Sequence, residues 1–181
     1  EEYTPEYGDL TSLNEDGLIL NAVGKRRLKE TTGEYMDLLQ TSAAVYERNG
    51  DYAYGMFSSG WCRMMDAASR KLCDTDDNRE AMECGEWHCH ESCWKDASLA
   101  CMEKGEPVDV ECRGGINLYA VPIRVHGSIV GALDFGYGDP PTDEETLQDL
   151  SAKYEIPVGK LRAQAEVYQT RPQFIIDYAK K

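Results

Sequence analysis

The chain is short of positive charge. It has 19 lysines and arginines against 33 aspartates and glutamates, a net charge of −14 over 181 residues. Nucleic acid is bound through clustered basic groups, so direct binding to it is excluded as an expectation, and contact with an anionic membrane surface with it. No apolar run approaches the ~20 residues that span a bilayer. Glu1-Glu2-Tyr3 offers neither a starting Met nor a signal-peptide pattern, as expected of a segment cut from a longer chain. There is no internal repeat and no low-complexity linker. There is also no Cys-x-x-Cys pair of the zinc-ribbon kind.

What the chain does have is sulfur in one place. Five of its seven cysteines fall between Cys84 and Cys112, with His88, His90, Trp87 and Trp94 among them; Cys62 and Cys73 come just before. An odd count in a chain too long to need stapling is expected of a reducing, cytoplasmic setting. The thiols are then buried, bound to metal or redox-active. Cys84 and Cys101 read as buried free thiols that pack like small apolar residues.

Along the chain, residues 1–17 read as an irregular lead. From Leu18 a helical pattern runs to Leu39, with a break expected near Gly33. Two strand-like runs flank Asn49-Gly50, a hairpin signal because its central residues must accept positive φ. Residues 61–72, a stretch from about Asp77 to Met82, and 91–103 carry helical spacing. Val108–Cys112, Ile116–Val125 and Ser128–Gly136 read as strands, the last two joined by His126-Gly127. Pro122 cannot donate to a ladder, so a bulge or an unpaired position is expected there. Thr142 and Glu145 form a candidate capping box, and Pro157 and Pro172 each start a further helix.

Helix, two strands, a cysteine-rich helical crossover, three antiparallel strands and then helices make an α+β chain. That order resembles PAS/GAF-type sensory folds, in which helices close a pocket on a five-stranded antiparallel sheet. Val121-Pro122-Ile123-Arg124-Val125-His126-Gly127 resembles the strand hairpin of GAF-like domains. Trp61-Cys62-Arg63, Cys73-Asp74-Thr75-Asp76 and Cys112-Arg113-Gly114-Gly115-Ile116, in that order ahead of the hairpin, resemble the PocR-type sensory domain over roughly residues 20–150. Arg113 departs from that family's His, and Cys89-His90-Glu91-Ser92-Cys93-Trp94 is extra. The resemblance implies a bacterial or archaeal input domain of signal transduction, including two-component systems. It implies a small hydrocarbon-derived ligand such as a diol, and a kinase or cyclase downstream in the same chain. The domain itself is then no enzyme. Its sensory part spans 18–154, and 155–181 form output or linker helices; a homodimer is compatible.

Two site readings stand side by side. A ligand pocket would be walled by Trp61, Cys62, Trp94, Cys112, Asn117, Tyr119 and Phe135. Alternatively, Cys62, Cys73, Cys89, Cys93 and Cys112 would hold Zn or an Fe–S cluster as a redox sensor, since Cys89 and Cys93 share a helix face. His88 or His90 would add a ligand. A cysteine-dependent enzyme, pairing Cys89 or Cys93 with one of these histidines, is the third reading.

Overall fold

The computed structural model describes residues 3–181. Strands β1 (Ser42–Glu47), β2 (Tyr52–Phe57), β3 (Val108–Glu111), β4 (Asn117–Val125) and β5 (Ser128–Tyr137) form one antiparallel sheet in the order β2-β1-β5-β4-β3. The architecture is α+β. Helices α1 (Leu18–Val23) and α2 (Lys25–Leu39) precede the sheet. Between β2 and β3 run α3 (Gly60–Lys71), α4 (Asn78–Glu83), and a continuous coil of α5 (His88–His90), a π-helical segment (Glu91–Leu99) and α6 (Ala100–Lys104). Helices α7 (Glu144–Tyr154), α8 (Val158–Glu166) and α9 (Gln173–Ala179) follow.

Side-chain alternation along the strands sends neighbours to opposite faces, so the sheet has two apolar layers. On one face Val45 and Ala53 meet Ile19 and Leu28, while Ala43 and Phe135 meet Met36, Leu39, Ile176 and Ala179. The other face carries the β2–β3 connection: Leu118, Ala120 and Ala132 pack on Ala97 and Cys101, and Tyr46 and Tyr52 on Leu10 and Trp87. A third cluster joins α3, α7 and α8 around Trp61, Met65, Leu147, Tyr154 and Leu161. Burying a side chain such as Leu161 contributes about 1.5–3 kcal/mol.

Local details depart from expectation for identifiable reasons. The first helix breaks at Gly24, not Gly33, because Gly24 takes φ 86° and closes α1 through Leu20 O. In the β1–β2 turn only Gly50 adopts positive φ; a Cβ there would lie 2.8 Å from the Trp94 ring, so the turn is fitted to that indole. His126 and Gly127 both adopt positive φ, as a two-residue hairpin requires. Pro122 keeps its place opposite Ala132, and the irregularity falls between Ile123 and Arg124. The cap of α7 is Asp143, which accepts from Thr146 N, so the expected Thr142 box is shifted by one residue. Residues Leu10–Leu13, expected to be irregular, form a 3-10 turn.

The cysteines bring a larger correction. Cys73 and Cys84 are joined in a disulfide, their Cα atoms 5.8 Å apart. Helix α4 turns the chain back, so two residues distant in sequence meet. Cys84 is therefore neither free nor buried, and Cys73 is withdrawn from any set of thiol ligands.

Candidate ligand cavity

A cavity of about 330 Å³ opens on the face of the sheet that carries the β2–β3 connection. Its floor is Ala44, Tyr46, Tyr52 and Gly55, small or aromatic residues from β1 and β2. Cys89, His90 and Cys93 form a wall from α5 and the π-helical segment. Residues Tyr3 to Thr11 lie across it as a strap. π-Helical turns are rare and concentrate at functional sites; this one presents Cys93 to the cavity.

The strap is tied down by polar contacts. Tyr7 Oη donates to Asp66 Oδ2 at 2.6 Å, and Trp87 Nε1 donates to Asp66 Oδ1 at 2.8 Å. Asn78 Nδ2 donates to Tyr7 O, and the Tyr7 ring meets Trp87 edge-on at 5.0 Å. Asp66 is fully buried on α3. Burial pushes its carboxyl up to about 6, against the lowering effect of the two donors.

Tyr46, Tyr52 and His90 line the cavity in a row, with ring centroids 4.6 and 5.7 Å apart, and Trp94, outside the lining, continues the row from Tyr46 at 5.3 Å. Tyr46 Oη donates to Tyr52 Oη at 3.1 Å, and Tyr52 Oη lies 2.8 Å from His90 Nδ1. Burial, and then the charge of Lys95, push His90 down to about 3, so it is neutral. Burial pushes Cys89 and Cys93 well up, helped by Asp66 beside the first and Asp134 beside the second. Protonated thiols are poor nucleophiles and poor metal ligands.

Asp134 is the anomaly. It sits in mid-β5 with no exposed surface and lines the cavity. Ser98 Oγ donates to its Oδ2 at 2.8 Å, while its Oδ1 has no hydrogen-bond partner. Burial pushes this carboxyl up to about 8, the Ser98 hydroxyl opposing.

A family model described as "Sensory domain found in PocR" matches residues 23–173, most of the chain. The chain belongs to the PocR sensory-domain family. No curated protein matches it, and no solved structure does.

The expected site residues of this PocR-type domain are distributed over several regions. Cys62, Cys89 and Cys112 pack in the cluster around Trp61, and Cys93 and Cys112 both pack against a neighbouring one. Trp61 Nε1 donates to Gly114 O, placing it behind the cavity. Trp94 lies against Tyr46 and the β1–β2 turn. Tyr119 and Phe135 pack together on the opposite face with α9, Phe135 stacking on Tyr35. Asn117 pairs with Tyr137 at the start of β4. None of these ligand-wall residues lines the 330 Å³ cavity, whereas Cys89 and Cys93 of the metal set do. Among the described residues no group of three or more His, Cys, Asp or Glu is arranged to hold a metal ion. The Zn or Fe–S reading thus lacks a ligand constellation here. Arg113, the departure from the family pattern, ties the β3–β4 loop to the π-helical segment: its N–H donates to Ser92 Oγ and its Nε to Asp96 Oδ2.

The reading from sequence missed Asp134, Tyr46 and Tyr52. A signal for Asp134 existed. Its parity matches that of Ala132, and an Asp inside an apolar strand is almost never fully buried without a partner.

Proposed function

We propose that this domain is an input module that binds a small molecule in the cavity between β1, β2, the strap and the π-helical segment. Ligand binding would favour one state of the cavity wall and pass that bias to the C-terminal helices. One observation carries the reading: a cavity of about 330 Å³ lined by tyrosines and small apolar residues together with polar groups such as His90 and Asp134, in a family described as sensory. Such concave, largely apolar sites with a few convergent polar atoms are the usual form of small-molecule pockets.

A route outward is built into the packing. Phe57 and Cys89 line the cavity and also touch the cluster that holds Leu161 and Ala165 of α8. Helix α3 lies between, with Asp66 toward the strap and Trp61 toward α8. Helix α9 packs through Ile176 and Ala179 on α2, and Tyr168 Oη donates to Leu39 O. A signalling domain downstream in the same chain would read the position of α8 and α9; a homodimer would supply the frame. No helix among the described residues is long and apolar enough to cross a membrane.

The test is a thermal-shift screen of small polar molecules against the protein and its Ala44→Leu variant. Ala44 sits on the cavity floor. At least one compound should raise the melting temperature of the parent, and Ala44→Leu should abolish that shift while remaining folded. Hits that bind Ala44→Leu equally well would place the ligand elsewhere.

A further inference from the structure

Asp134 poses a physical problem that its protein neighbours do not solve. A fully buried carboxyl with one free oxygen is costly, because a polar atom without a hydrogen bond loses its solvation and gains nothing. The groups that face it are Ser98 and Cys93 on the π-helical segment, Cys101 on α6, Tyr46 on β1 and Tyr52 on β2. None carries positive charge. The lysines that line the same cavity belong to α2, at the strap side, where Lys25 pairs with Asp9.

We propose, resting on the cavity being a ligand site, that it takes a small alkylammonium ion, whose N–H donates to the free Oδ1 of Asp134 and whose alkyl groups lie on the Tyr46–Tyr52 wall. Three features of the molecule favour a cation. The oxygen is unpartnered, and its residue lines the cavity. Tyrosine rings line the cavity, and the electron-rich faces of such rings attract ammonium groups. The net charge of −14 raises the local concentration of cations around the whole domain. A buried ion pair forms only where each charge finds its partner, and the ligand here brings the one that the protein omits.

The test uses the full chain, the chlorides of primary and secondary alkylamines from methyl to butyl, and neutral alcohols of matching shape, with affinities from calorimetry. At least one ammonium ion should bind no less than tenfold tighter than its alcohol counterpart. Asp134→Asn, which keeps an acceptor for Ser98, should lose at least tenfold for the ion and little for the alcohol. In the parent protein, binding of the ion should release a proton and tighten on the order of tenfold between pH 6.5 and 8.5, as Asp134 ionises. Over that range the tyrosines and thiols stay protonated and His90 stays neutral; the remaining titrating group near the cavity, Asp66, is largely ionised by pH 7. The pH profile also decides the matter if Asp134→Asn does not fold.

Tighter binding of the alcohols, or affinity that falls as pH rises, would overturn the cation while leaving the cavity a ligand site. Binding of the ions that Asp134→Asn leaves unchanged would overturn Asp134 as the anchor. Binding that survives Ala44→Leu, or no binding by any probe of either charge, would overturn both the cation and the cavity reading.

Discussion

The two faces of the sheet each bury a carboxylate completely, and they treat it in opposite ways. Glu47, at the end of β1, turns toward α1. It accepts from Ile19 N at 2.8 Å, Leu20 N at 2.9 Å and Asn14 Nδ2 at 3.2 Å. Asp134, in mid-β5, turns toward the β2–β3 connection and is met by Ser98 alone. Both have no exposed surface. Glu47 serves as a cap for α1: backbone N–H groups at the start of a helix lack internal partners, and a carboxylate satisfies them. One face therefore closes its polar account within the chain, and the other leaves an atom open. That difference separates a structural face from a binding face more sharply than hydrophobicity does, since both are apolar.

The comparison is breakable at each end. The largest effect is expected from Glu47→Ala, which strands the N–H groups of Ile19 and Leu20 and should cost about 3–4 kcal/mol in denaturant unfolding. A loss below about 1 kcal/mol would mean that water reaches α1 and that the two carboxylates differ little. Next comes the pH dependence of Asp134. Its carboxyl is raised from 3.8 to about 8 in the fold. Its contribution is fully present below about pH 4 and is lost as pH rises from there through about 8, because the unfolded chain releases the proton first. Asp134→Asn removes that loss. The variant should match the parent near pH 4 and exceed it by a growing margin, on the order of a few kcal/mol, toward pH 8. A margin independent of pH would show that Asp134 is ionised and paired in the fold.

How much of this was legible in the chain depends on range. The turn at His126-Gly127 and the short helix starting near Asp77 are set by residues within a few positions, and both were readable from sequence. The five strands followed from alternation and turn chemistry. The cavity wall did not, because aromatic type was given more weight than strand parity: Tyr119 and Phe135 have the parity of the other face, opposite Leu118 and Asp134 respectively. Contacts across long separations were out of reach. The strap reaches Asp66 from 59 residues away, and nothing local marks Tyr7 as its anchor. The Cys73–Cys84 disulfide depends on α4 doubling back, and the π-helical winding of Glu91–Leu99 has no periodic signature in so short a segment.

Asp66 is the intermediate case, and it yields the smallest and most diagnostic effect. It is as buried as Glu47 and Asp134, but it has two donors, Tyr7 and Trp87, and its carboxyl is raised only to about 6. Across Glu47, Asp66 and Asp134 the number of donors falls, and between the last two the carboxyl rises as it does so. Tyr7→Phe removes one donor without altering the ring that packs on Trp87. At pH 7.5, where Asp66 is charged, the loss should be about 1.5 kcal/mol, since a bond to a charged group is the stronger kind. Near pH 5 the carboxyl is mostly protonated and the loss should shrink to about 0.5–1 kcal/mol. In the parent the Asp66 contribution is full below about pH 4 and is spent by about pH 6; in Tyr7→Phe the decline should run to higher pH, because one fewer donor leaves the carboxyl higher still. Chemical denaturation of both proteins between pH 4.5 and 8 gives the two curves. If they run parallel, Tyr7 does not bond the charged form of Asp66, and its side chain holds the strap through ring packing on Trp87.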